Sequence, residues 1–109
     1  MAEIRHYVTR SGKDDFDDWL THLRDARAQA KVAARLNRLA AGNCGDAKSL
    51  HNGLYELRID WGPGYRIYYA IIGIEIVLLL CAGDKRKQSA DITRALNYLE
   101  DYKERSKTL

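Results

Sequence analysis

Apolar and polar residues alternate over residues 3 to 9, with Ile4, His6 and Val8 on one side and Arg5, Tyr7 and Thr9 on the other; this predicts a short strand. Ser11 and Gly12 end it. From Lys13 to about Leu23 the period changes, and Phe16, Trp19, Leu20 and Leu23 recur at helical spacing behind the acidic run Asp14, Asp15, Asp17 and Asp18. Acids in a first turn complement the helix dipole. A second helix is predicted from about Ala26 to Ala41 by Val32, Leu36, Leu39 and many alanines, and "GNCG" at 42 to 45 closes it. The two form a helical hairpin.

Three strand-like runs follow a polar connector: Leu54 to Asp60, Tyr65 to Ile72 and Glu75 to Cys81. "WGPG" and "IGI" are short enough to pair them antiparallel as a meander. "AGDKRKQS" leaves the last strand, and Ile92, Leu96 and Leu99 mark a helix from about Ala90 to Glu104. The predicted order is β-α-α-β-β-β-α, an α+β fold with a mostly antiparallel sheet, helices packed on one face and the other face partly open.

At 109 residues the chain fits a single domain, residues 1–109. The net charge of +3 is unevenly spread: residues 1 to 30 hold five Lys/Arg and six Asp/Glu, the remainder thirteen and nine. That excess, with a pI near 8.9, permits an anionic partner without establishing one. Cys44 and Cys81 show no zinc or redox spacing and read as reduced packing residues. No signal peptide or membrane-spanning run is legible, so a cytoplasmic protein is expected.

Strand alternation sets Leu54, Glu56, Arg58 and Asp60 on one face, opposite Tyr55, Leu57 and Ile59. In the next strand Arg66, Tyr68 and Ala70 oppose Tyr65, Ile67, Tyr69 and Ile71. A face bearing Glu56, Arg58, Arg66 and Tyr68 results. Its simplest account is a solvated surface with Glu56 paired across strands. The nearby Lys85, Arg86 and Lys87 would instead complete a concave cationic site suited to a phosphodiester, since arginine offers a fixed fork of donors and lysine a compact charge. RNA would bring a 2′-hydroxyl able to attack the adjacent phosphorus. Glu56, His51 and His6 are the candidate proton-transfer groups; Tyr68 is a candidate base-stacking ring, whereas Tyr65 and Tyr69 read as core. There is no Gly-x-x-x-x-Gly-Lys loop, dinucleotide fingerprint or Gly-x-Ser-x-Gly elbow.

"GLYELRIDWGPGYRIYYA" followed by "IVLLLCAGDKRKQSADITRAL" resembles the RelE/HigB-like superfamily of toxins from toxin–antitoxin modules, in particular the addiction-module killer or phage Gp49-like branch, over roughly residues 3 to 104. The resemblance implies a ribosome-dependent mRNA endonuclease that uses neither metal nor other cofactor. It also implies neutralisation by a cognate helix-turn-helix antitoxin in a hetero-oligomer. By position Arg66 matches the arginine that stabilises the transition-state phosphate, Arg58 stands at a catalytic lysine and Lys87 lies near a second functional arginine. Lys85 is typical of the Gly-Asp-Lys branch; Arg86, Tyr68 and His51 are carried as substrate contacts. Glu56 replaces an expected lysine, and Asp91 or a neighbour an expected tyrosine. Two other readings stay open: a ParE-type toxin that inhibits DNA gyrase, and an inactive antitoxin-binding relative. The ribonuclease reading expects Arg66→Ala to abolish translation arrest with the fold intact.

Overall fold

A computed structural model describes residues 2–107. The elements run β1 (Glu3–His6), α1 (Asp15–Thr21), α2 (Ala26–Ala40), β2 (Ala47–Ser49), β3 (Leu54–Ile59), β4 (Tyr65–Ile72), β5 (Ile76–Asp84), a 3-10 turn (Lys85–Lys87) and α3 (Gln88–Lys107). Side-chain caps start both early helices: Asp14 accepts from the Asp17 N–H at 3.0 Å, and Asp25 from those of Arg27 and Ala28. α2 stops where Gly42 takes φ +95°, a conformation open to glycine at little cost.

The sheet order is β1-β5-β4-β3-β2. β2 to β5 pair antiparallel in succession, as the meander predicts, and β1 adds parallel to β5. In β5 one residue is extra: Tyr68 pairs with Cys81 and Tyr69 with Leu79, so Leu80 has no opposite number. Such a bulge reverses the alternation. Leu80 and Cys81 consequently turn to the same side of the sheet, while Leu79 and Ala82 face the other.

Two cores flank the sheet. Phe16 of α1 and Val32 and Leu39 of α2 pack on Leu57, Ile59, Ile67 and Tyr69. On the opposite face Ala95 and Leu99 of α3 pack on Leu54, Tyr68, Ala70 and Leu78. This corrects the expected one-sided arrangement: the helices lie on both faces, and the face expected to be open is the one under α3. Glu56 and Tyr68 are therefore interior residues, 1% and 0% exposed. Alternation gave the right face to each strand residue but could not say which helix would cover it.

The order also gains β2, which lay inside the expected connector; three residues are too few to show a period. β5 runs on to Asp84 and α3 to Lys107, beyond the expected limits, and β1 and α1 are shorter than expected. Cys81 is buried, but Cys44 is exposed and does not serve as a packing residue; both are free thiols. Among the described residues no helix is long and apolar enough to cross a membrane.

Candidate functional site

Two rows of cross-strand neighbours build the polar part of the α3-facing surface. One runs Lys48, Glu56, Tyr68 and Cys81; the next runs Arg58, Arg66 and Gly83, with Asp46 extending it just ahead of β2. β3 and β4 thus bring Arg58 and Arg66 side by side, two like charges that need flanking acids. Asp46 meets the first, accepting from Arg58 Nη2 at 2.9 Å and Nε at 3.2 Å. Glu56 meets the second, with Oε1 3.8 Å from Arg66 Nε.

The second pairing is the unusual one. Glu56 is almost wholly buried, and Arg66 has a side chain only 13% exposed. Gln88, the first residue of α3, donates from Nε2 to Glu56 Oε2 at 2.7 Å, so the helix fixes the carboxylate that faces the arginine. Arg66 Nη1 donates to the Tyr65 carbonyl at 3.1 Å, and among the described residues its buried Nε makes no hydrogen bond. Among the described residues the neighbouring buried Tyr68 hydroxyl meets no partner at full hydrogen-bond geometry, although Glu56 lies close enough to act on it both as a charge and as a weak acceptor. Burial, reinforced by the Glu56 carboxylate, pushes the phenol well above its ordinary pKa.

The basic turn after β5 divides. The Lys85 N–H donates to the Gly64 carbonyl at 2.8 Å, and its side chain lies along Gly64, whose φ of +82° favours a residue without a side chain there. Lys85 is thereby placed beside the start of β4, next to Arg66. Arg86 folds back on Asp84 through Nη2 and Nε, at 2.9 and 3.3 Å to separate oxygens; this partner holds the Asp84 carboxyl below its usual range. Lys87 points elsewhere, into a cleft of about 440 Å³ between α1 and α3.

That cleft lies along the second half of β5, beyond the residues that pair with β1. Asp15, Asp91 and Arg94 meet in it, with Arg94 Nη2 3.0 Å from Asp91 Oδ1 and Arg94 Nε 3.5 Å from Asp15 Oδ2. Burial raises the Asp91 carboxyl, against the opposing pull of Arg94 and Lys87. Among the described residues its Oδ2 meets no hydrogen-bond partner, and it rests on Gly83, where any Cβ would collide with it.

Of the sequence-predicted residues, the fold brings together Glu56, Arg58, Arg66 and Tyr68, with Lys85 at their edge. Tyr68 is too enclosed to stack on a base. His51 sits in the β2–β3 turn, at the far end of β3 from Arg58, roughly 13 Å along the strand from Leu54 onward. His6 is bonded to Asp14 at 2.7 Å, outside this group. Sequence reasoning missed Gln88, Lys48 and Asp46. Only Gln88 carried a signal, as the polar residue directly after the basic run. Among the described residues no three His, Cys, Asp or Glu side chains converge as a metal site.

Comparison with known proteins matches residues 18–104 to the family described as phage-derived protein Gp49-like (DUF891). The chain is also 51% identical, over 80 residues, to an uncharacterised protein of Haemophilus influenzae, a match covering 73% of this chain and 81% of that one.

Proposed function

Because this chain belongs to the phage-derived Gp49-like family, a family of toxin–antitoxin type, we propose that it is the toxin of such a module and acts as a ribosome-dependent mRNA endonuclease on the RelE pattern. Its partner in that reading is a helix-turn-helix antitoxin. The observation that carries the catalytic part is the Arg66 arrangement: a mostly enclosed guanidinium, aimed by Glu56 and Gln88, flanked by Arg58 across the strand and by Lys85 at the turn.

A preorganised cation in a partly dry site stabilises developing negative charge far better than one in water. In the proposed reaction the RNA 2′-hydroxyl gives up its proton to solvent as its oxygen bonds to phosphorus, and the P–O5′ bond breaks. A cyclic 2′,3′-phosphate is left, and the 5′-oxygen takes up a proton. Arg66 would stabilise the extra charge on the phosphorane, while Arg58 and Lys85 would hold the flanking phosphates. Glu56 is enclosed, with its two oxygens turned to Gln88 and Arg66, so it serves as a positioning residue rather than a base.

The pairing also changes the test. Arg66→Ala would strand a buried carboxylate, a change that typically costs about 3–5 kcal/mol, so an intact fold is not expected of it. Arg66→Gln combined with Glu56→Gln removes both charges and leaves a neutral, hydrogen-bonding side chain at each position. With thermal stability checked, pulsed expression and 5′-end mapping of mRNA should show cleavage by the wild type and a loss of about a hundredfold or more in the double variant. Undiminished cleavage would remove Arg66 from the mechanism. Arrest with intact mRNA and failing DNA replication would move the protein to the gyrase-inhibiting class.

A further inference from the structure

The outer face of α2 carries a charge pattern that the proposed cleavage site does not use. Between Arg24 and Arg38 stand five basic residues and one acid, Asp25. Arg27, Lys31 and Arg38 fall on one side of the helix and span about 16 Å of its axis. Among the described residues none of the three forms an ion pair within 4.0 Å.

Beside this stripe runs a trough of about 390 Å³, where Ala30 and Ala34 leave room between Lys31, Arg35, Arg38 and the end of β3. Arg35 is fixed in its wall by donating to the carbonyls of Arg58 at 2.6 Å and Asp46 at 3.2 Å. The one acid lining the trough is Asp60. At the end of β3 stands Trp61, with Lys31 Nζ 4.5 Å from its ring centre. Its Nε1 donates to Asp25 Oδ2 at 2.9 Å, a bond that engages the single acid of the helix and pins the indole. From Trp61 the chain passes through Gly64, whose N–H donates to the Trp61 carbonyl, directly to Arg66 and to Lys85.

We infer that this trough is a binding site for single-stranded RNA, and that the strand it holds continues over the Trp61–Gly64 turn to the arginines of the cleavage site. A cationic groove that follows the backbone, beside a fixed aromatic ring, is the usual means of holding a single strand without reading its sequence. The cations of the stripe, which form no ion pair among the described residues, suit phosphates, and the ring of Trp61 beside them suits an unpaired base. The identity of the strand as RNA rests on the cleavage reading above.

The test is fluorescence anisotropy with a labelled 2′-O-methyl RNA 12-mer, which lacks the attacking hydroxyl, at low and moderate salt. Wild type should bind. Lys31→Glu with Arg38→Glu, both exposed positions, should keep its melting temperature, weaken binding about tenfold or more, and flatten the log–log salt slope by about 1.4, or 0.7 per lost phosphate contact. Unchanged affinity and slope, or no binding by wild type, would overturn the inference. So would weakening seen only in the Arg66→Gln/Glu56→Gln protein, which would confine binding to the cleavage site. Loss of antitoxin binding with RNA affinity unaltered would overturn it too and give the stripe to a protein partner. Trough-dependent binding by a protein that cuts no RNA would retain the inference and reject the nuclease reading.

Discussion

Arg58 and Arg66 stand opposite each other on neighbouring strands, and each like charge is offset by an acid that the chain supplies from a different place. At residue scale the tightest fit is elsewhere, where the Asp91 carboxylate rests on Gly83. Gly83 is required by contact rather than by backbone angle, since it is not among the glycines with positive φ. Gly83→Ala should therefore push the first turn of α3 off the sheet and cost about 1–3 kcal/mol in a urea titration. Adding Asp91→Ala should recover much of the loss, because residues in contact are not additive. Full additivity would show that the crowding lies at another contact. Arg58 and Arg66 were legible as a pair from strand period alone; Gly83 was not, because nothing in the sequence says that residue 91 will lie over residue 83.

At element scale α3 has two tasks. Its apolar stripe, Ala95 and Leu99, seals the second core, and its first residue, Gln88, holds Glu56. Leu99 is 2% exposed, so Leu99→Ala should cost about 2–5 kcal/mol and lower the urea midpoint with little change in slope. A loss under 1 kcal/mol would mean that the helix is not anchored there. The spacing of Ile92, Leu96 and Leu99 predicts this helix, whereas the sheet face that it covers depends on the path of the turn after β5. The bulge at Leu80 acts at the same scale, turning Cys81 inward under α3 and leaving Ala82 to the other core.

For the whole molecule, the acids pull stability in opposite directions with pH. Burial alone would raise the Asp15 carboxyl, but the Tyr98 hydroxyl, Lys13 and Arg94 outweigh it and hold the group below its ordinary range. Its contribution is complete above a pH of about 4, the unfolded value, and is lost as pH falls through the folded one. Asp91 behaves in the reverse sense. The groups facing it are Arg94 and Lys87 from its own end of the chain, Asp84 and Cys81 from β5, Asp15 from α1, and Lys13 from the loop before that helix. Their sum leaves its folded pKa raised, so its contribution is complete below about pH 4 and declines as pH rises through the folded value. Stability curves of wild type and Asp91→Asn should therefore shift relative to each other above pH 4, in favour of the variant as pH rises. Parallel curves would show that Asp91 titrates normally.

The sequence by itself determined the principal helices and strands, because period, caps and glycine turns act within a few residues of one another. It also determined that Glu56, Arg58, Arg66 and Tyr68 share a face, because a strand alternates whatever surrounds it. Only the tertiary structure decided that this face is covered, that Gln88 reaches Glu56 across 32 positions of sequence, and that Lys87 looks into the cleft between α1 and α3 while Lys85 lies along Gly64. Those outcomes depend on which helix packs against which side of the sheet. That choice minimises exposed apolar area over the whole chain and leaves no mark in any local pattern.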